Sequence, residues 1–361
     1  MNLRTSGELS GCRFIYTSGR TRQSSCRVLD VALQVVGLLR STKRVVSLRL
    51  RGSLRAVLVY PNTLRVAIPF GLLSRLLRFP ILLDVCEMPL TVAGTLDNSY
   101  FARKRLWLLY SLFHGVFCIS DVLCRHVQTA ARRGLIVQKM PVLVDANAFT
   151  RLNDPKDTVR QIVYAGTLSE KKDGVLTLID AFAALPMSQA DVRMVIAGWG
   201  PRPSDEMSCQ VRVREKGLAD RVELLGRLGR SETQNLVQRA TVLALARPAS
   251  LQAEAGFPTK LAEYLASSRP VVVTATGEIP NYLEDGVSAY LVDPGDTQGF
   301  ANALFRVLSE PGEAETVGAR GRVVAVQSFD FRANAEKLAA LLRNVERAGR
   351  RGIADESGCG E

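Results

Sequence analysis

The chain has 361 residues, of which 47% are hydrophobic and 23% charged, with 28 Gly and 15 Pro. These values suit a globular protein of about two ordinary domains and exclude collagen-like, low-complexity and disordered chains. The formal charge is divided unevenly: residues 1–150 hold 21 Lys and Arg against 7 Asp and Glu, a net of +14, whereas residues 151–361 hold 26 against 28, so an anionic partner is expected for the first part alone.

In chain order, the first residues show no basic stretch followed by an apolar run, and no signal peptide is expected. Residues 56–61 (AVLVYP), 80–85 (PILLDV) and 115–120 (GVFCIS) read as strands, with helices predicted over 63–77, 98–113 and 121–133. The segment FGLLSRLLRF (70–79) is apolar with interspersed Arg and is a candidate for lying on anionic lipid; a core helix with two exposed Arg is the alternative. The longest uncharged stretch, Leu106 to Ser120, falls short of the ~20 residues that span a bilayer. A polar, Pro-containing linker follows at 149–158 (FTRLNDPKDT).

From residue 160 onward short apolar runs alternate with amphipathic stretches. Strands are predicted at 161–168, 192–198, 222–226, 241–246, 269–274 and 289–292, and a helix at 174–185. Continuous apolar strands alternating with helices imply a parallel sheet covered on both faces. The fold class is therefore α/β, with two doubly wound Rossmann-like domains and a ligand expected in the cleft between them, beyond the carboxyl ends of the strands. The tail at 347–361 is expected to be disordered. Seven Cys without a CxxC pair, and only His114 and His126, exclude a complete disulfide framework and a His-rich metal site, and point to a reducing, cytoplasmic setting. Both His fall on apolar helical stretches and read as packing or surface residues.

Two segments carry chemistry. In GFPTKLAEYLASSRPVVVT (256–274), Pro258 suits a first helical turn and Thr259 a cap or first-turn position. Free amides at that helix start, with Lys260 beside them, can hold a phosphate. Glu263, one turn on, can accept hydrogen bonds from a vicinal diol such as a ribose; the alternative is a surface helix with an exposed Lys260–Glu263 pair. In YAGTLSEKKDGVLTLIDAF (164–182), Gly166 permits close backbone approach, and Lys171 and Lys172 put charge at the carboxyl end of a strand.

The pieces AGTLSEKKDG, VIAGWGP, VELLGRL, LALARPAS, GFPTKLAEYLASSRPVVVT and GVSAYLVDPGD together resemble the donor-binding domain of retaining glycosyltransferases of the GT-B fold, family 4 or group 1 type, over about residues 160–310. PILLDVCEMP and GVFCISDVL resemble the acceptor domain more weakly, and FDFRANAEKLAALL (329–342) resembles the closing helix that returns to it. The resemblance implies an acceptor-side domain at 1–150, a nucleotide-sugar-binding domain at 158–327 and a closing helix at 328–346. It implies donor binding by Gly166, Thr167, Lys171, Lys172, Gly226, Arg227, Leu228, Phe257, Pro258, Thr259, Lys260 and Glu263. Lys172 would meet the diphosphate, Glu263 the ribose, and Gly226 to Leu228 the base. Lys172, Glu254 and Glu87 are the expected catalytic group. No cofactor and no metal are expected, the nucleotide-diphosphate sugar being the substrate, and positive side chains would stabilise the departing diphosphate.

Three departures accompany the resemblance. Thr167 stands where the family often has Arg. The usual pair of Glu is matched by Glu254 and Glu263 only with one residue too many between them, so that the regular position falls on Ala255. No convincing N-terminal glycine-rich strand and loop is found, so either a shortened acceptor half or a lost first strand is expected. The expected partners are a nucleotide sugar, a saccharide or lipid-linked acceptor in polysaccharide assembly and an anionic membrane surface, with the protein peripheral on the inner face of the cytoplasmic membrane. Nucleic acid is not expected, for lack of a motif. A catalytically weak sugar-nucleotide-binding subunit and a nucleotide-sugar epimerase are the alternatives, the latter disfavoured by the scarcity of His.

Overall fold

The computed structural model describes residues 6–9, 12–18, 27–60, 64–88, 91–92, 95–96, 99–149, 159–186 and 191–356. The N-terminal half runs β1 (Ser6–Leu9), β2 (Cys12–Ile15), α1 (Arg27–Leu50), β3 (Val57–Val59), α2 (Leu64–Leu77), β4 (Ile81–Val85), β5 (Thr91–Val92), β6 (Thr95–Leu96), α3 (Tyr100–Ser111), β7 (Gly115–Cys118), α4 (Asp121–Ala130) and β8 (Ile136–Lys139). Strands β3, β4, β7 and β8 form a parallel sheet in that order. Its central β7 is buried at every position, as a strand covered on both faces must be. The predicted strands and helices of this half are all present. The antiparallel hairpin β1–β2, the helix α1 and the edge strand β8 were not predicted. The linker beyond Phe149 lies outside the described residues up to 158.

The C-terminal half comprises β9 (Gln161–Thr167), α5 (Glu170–Asp173), α6 (Val175–Ala183), β10 (Arg193–Trp199), α7 (Pro203–Glu215), β11 (Val222–Gly226), α8 (Arg230–Arg239), β12 (Val242–Leu245), α9 (Leu251–Ala255), α10 (Thr259–Ala266), β13 (Val271–Thr274), α11 (Ile279–Tyr282), β14 (Tyr290–Val292), α12 (Thr297–Ser309), α13 (Pro311–Val324) and α14 (Phe331–Glu356). Its six strands are parallel and ordered β11-β10-β9-β12-β13-β14. The order reverses between β9 and β12, which makes their carboxyl ends the switch-point crevice of a doubly wound sheet. Both VLAL of β12 and VVVT of β13 are fully buried.

The two halves share one apolar core. The helix α14 also lays Leu341 and Val345 against Leu82 and Phe117 of the N-terminal sheet. Gly115 of β7 lets α14 approach closely there, since a Cβ would stand 3.0 Å from Val345 and the valine would have to give way. The entry to α14 is held by a backbone exchange, Val144 with Phe329 and Phe331, and by Arg332 on Asp145 at 2.9 Å. The tail expected to be disordered from residue 347 is instead helical up to Glu356; it continues the turns that pack on the N-terminal sheet. Among the described residues no helix is long and apolar enough to cross a membrane.

Candidate active site

The crevice at the switch point is built by the loops after β9 and β12 and by the start of α10. After β9 the chain makes the single turn α5 and reverses at Gly174, whose φ of +67° favours glycine. A Cβ at Gly174 would collide with the Ala246 carbonyl just past β12, so the two loops meet backbone to backbone. The Glu170 carboxylate caps the helix that follows, accepting from the Leu176 amide at 2.6 Å and the Thr177 hydroxyl at 2.7 Å. The start of α6 is therefore already occupied, and an anion must be met by side chains and by α10.

Those side chains are cationic. Lys260, on the first turn of α10, reaches across to β9: its Nζ lies 2.6 Å from Asp173 Oδ2 and 2.9 Å from the Tyr164 hydroxyl. The ammonium fills the space above Gly166, where any Cβ would strike it. The Lys260 and Asp173 side chains are only 14% and 4% exposed. Burial pushes Lys260 below the ordinary lysine value, the Asp173 carboxylate opposes that, and Arg247 and Lys172 add to it. Lys172 is exposed, and its Nζ meets Glu87 Oε1 at 3.5 Å across the cleft.

The N-terminal wall follows β4. Burial raises the Asp84 carboxyl and pushes the Cys86 thiol up to about 12, the thiol donating to Asp84 at 3.2 Å. Below the cleft the halves are pinned together. Ser120, which caps α4, donates to the Ala255 carbonyl. The buried Glu278 carboxylate accepts from the Asp121 amide and pairs with Lys139 at 2.7 Å. Burial alone would lower Lys139, but its bonds to Asp121 and Glu278 outweigh that and hold its pKa above the ordinary lysine value.

The expected site residues divide accordingly. Gly166, Lys172 and Lys260 converge on the crevice, with Thr167 ending β9 and Lys171 exposed on α5. Pro258 is the residue before α10 rather than in its first turn, with φ −73° and ψ 115°, and Thr259 opens the helix without capping it. The Glu263 carboxylate is half-buried; burial raises its pKa while Arg230 and Lys260 oppose the rise, so it is not the exposed partner of a surface pair. Gly226 ends β11 with φ +65°, and Arg227 lies over the Trp199 ring at 5.4 Å, leaving Leu228 half-buried behind them. Phe257 departs from expectation: it is 6% exposed and packs against Tyr282 and Phe329 with centroids 5.5 and 5.1 Å away, which makes it a core residue. Glu254 is exposed on α9, and Ala255, the regular Glu position, is sealed in the core with its carbonyl on Ser120. His114 accepts the Ile81 amide at 3.3 Å and plays a packing part. The reading of residue types missed Asp173, Trp199, Glu278 and Arg247. Of these Arg247 was findable, as the first charged residue after a strand in LALARPAS.

Two parallel-sheet domains facing one another, with a cationic crevice at the switch point of the second, define a GT-B fold. The family described as Glycosyl transferases group 1 matches residues 159–310, the same sheet and crevice. Alpha-D-kanosaminyltransferase of Streptomyces kanamyceticus is 26% identical over 184 residues, 51% of this chain and 45% of that one. D-inositol 3-phosphate glycosyltransferase of Thermobifida fusca is 29% identical over 49% of this chain and 40% of its own. The matches thus span less than half of these curated relatives. Among solved structures, Anabaena HepE in complex with UDP superposes with a TM-score of 0.68 at 20% identity, covering 86% of this chain and 84% of that one. Sucrose-phosphate synthase from Thermosynechococcus elongatus gives 0.75 at 18% identity, covering 96% and 86%.

Proposed function

We propose that the protein is a retaining, metal-independent hexosyltransferase that moves a sugar from a nucleotide-diphosphate donor to a saccharide or lipid-linked acceptor in glycoconjugate assembly. The observation that carries this reading is the convergence of Lys172 and Lys260 on the switch-point crevice, facing Glu87 of the other half. Fixed cations in a partly desolvated site stabilise the charge that grows on a diphosphate as its bond to the sugar breaks. In this reading Glu263, whose half-buried carboxylate lies one turn along α10, accepts the ribose hydroxyls. Relatives that include a lipid-directed enzyme, phosphatidyl-myo-inositol mannosyltransferase of Mycobacterium leprae, and a structure solved with UDP-glucose support the donor and acceptor classes. A thermal-shift screen of nucleotide sugars, followed by NMR assignment of the product's anomeric centre, tests the reading. A product of inverted configuration, or no response to any nucleotide sugar, refutes it.

A peripheral position on anionic lipid on the cytoplasmic face is part of the same proposal. The packed pair α2–α3 exposes Leu76 at 78% and Phe101 at 80%, along with Leu72, Trp107 and Leu108. Arg75, Arg103, Lys104 and Arg105 are exposed among them. Of the 70–79 segment, Phe70, Gly71, Ser74 and Phe79 face the core, so the lipid-facing part is the opposite stripe, joined by the aromatic residues of α3.

A further inference from the structure

Arg247 follows β12 by two residues and so stands, like Lys172 after β9, at the carboxyl end of one of the two strands between which the sheet order reverses. It is 4% exposed. Among the described residues its side chain makes no hydrogen bond or ion pair, and its Nε is buried without an acceptor. A buried charge without a partner is costly, and one kept in a native fold calls for a reason, a bound ion or a functional role among them. Two carboxylates act on it electrostatically, Asp173 and Glu254. Neither is close enough to pair with it, and Asp173 already accepts from Lys260 and Tyr164. Lys172 meets Glu87 at 3.5 Å and Lys260 meets Asp173, so of the three cations at this crevice Arg247 alone has no carboxylate in pairing distance, the exposed Glu254 included.

The guanidinium also lies at the boundary between the halves. A Cβ built on Gly256 would be in ordinary contact with both Arg247 Nη2 and the Cys86 carbonyl of the opposite half, each at 3.9 Å, so the guanidinium and the N-terminal wall meet the same stretch of backbone. We infer that Arg247 is an anion-binding residue that clamps the diphosphate of the donor through its guanidinium fork, with Lys172 as the second, exposed cation. The inference rests on the donor reading of the site given above. An arginine fork suits two oxygens of a phosphate at once, which a lysine cannot match.

The test uses the full chain and inorganic pyrophosphate, which carries the diphosphate without a base. Binding is measured calorimetrically for the wild type, Arg247→Met and Arg247→Lys, with UDP as a second probe and unliganded melting recorded for each. Arg247→Met should weaken pyrophosphate and UDP about 10- to 100-fold, Arg247→Lys less, and the unliganded melting temperature of Arg247→Met should hold or rise, because an unpaired buried charge has been replaced by an apolar chain of similar length. Equal affinity in wild type and Arg247→Met overturns the inference while leaving the donor site standing. A lower melting temperature or failure to fold for Arg247→Met also overturns it, by showing the guanidinium to be structural. Failure of the wild type to bind either probe brings down the donor reading itself.

Discussion

Replacing Lys260 by Met removes one partner of a buried pair and leaves the Asp173 carboxylate, 4% exposed, without its cation. Breaking such a pair costs about 3–5 kcal/mol. The lower end applies here, because the Tyr164 hydroxyl, whose one hydrogen is shared between the Thr167 carbonyl and Asp173, stays 3.1 Å from Asp173 and the Arg247 charge remains nearby. A loss of ~3 kcal/mol is therefore expected, and Lys260→Met/Asp173→Asn, which removes the stranded charge, should recover most of it. The chain has two Trp, Trp107 on α3 and Trp199 at the end of β10. In a Trp107→Phe background urea unfolding followed by fluorescence reports on the C-terminal sheet through Trp199 alone. A single-variant loss below ~1 kcal/mol, or a double variant no more stable than the single one, would refute the claim that this pair holds the β9 loop to α10.

Glu263→Gln should leave the fold intact and weaken nucleotide binding by ~1.5–3 kcal/mol in calorimetry, the worth of hydrogen bonds to a charged acceptor. Because burial raises the Glu263 pKa and ribose hydroxyls need the ionised form, wild-type nucleotide affinity should fall on acidification from a pH above the ordinary glutamate value of ~4.3, and the fall should vanish in Glu263→Gln. Lys139 has a folded-state pKa raised above its unfolded value, so its contribution is complete below the ordinary lysine pKa of ~10.4 and is lost as pH rises through the folded value; Lys139→Met should lower the melting temperature at neutral pH, with a difference that narrows under strongly alkaline conditions. In sedimentation assays the protein should pellet with anionic but not neutral vesicles, release at 1 M salt as the screening length shortens to ~3 Å, and bind less as Phe101→Ser; equal pelleting with both lipids would exclude the α2–α3 surface as an electrostatic dock.

The C-terminal sheet was legible because its strands are buried on both faces and so read as unbroken apolar runs, VLAL and VVVT among them. The crevice was legible where a local pattern marked it: a glycine ending a strand, two Lys in a short loop, a Pro before a helix. Partnerships across the fold were not legible. Nothing near Asp173 announces that an ammonium from residue 260 lands on it, and nothing near Glu278 announces Lys139 from the other half. Phe257 was misplaced for the same reason: it stands two residues before α10, yet its ring packs on Phe329, a contact set by tertiary geometry. Helix α1 escaped notice because it mixes exposed Leu29, Val31, Val35 and Leu39 with Arg and Lys along its length, which blurs the helical period.

The central claim is that cations in the switch-point crevice hold the diphosphate of a sugar donor while the sugar is transferred. Release of nucleoside diphosphate from a panel of nucleotide sugars, measured in EDTA with a saccharide acceptor mixture for the wild type and Lys172→Met, tests it most directly. The account predicts turnover of at least one donor that persists in EDTA and falls at least ~100-fold, about 2.7 kcal/mol of transition-state stabilisation, in Lys172→Met. Turnover that requires an added divalent ion, or that is the same in Lys172→Met as in the wild type, would contradict it.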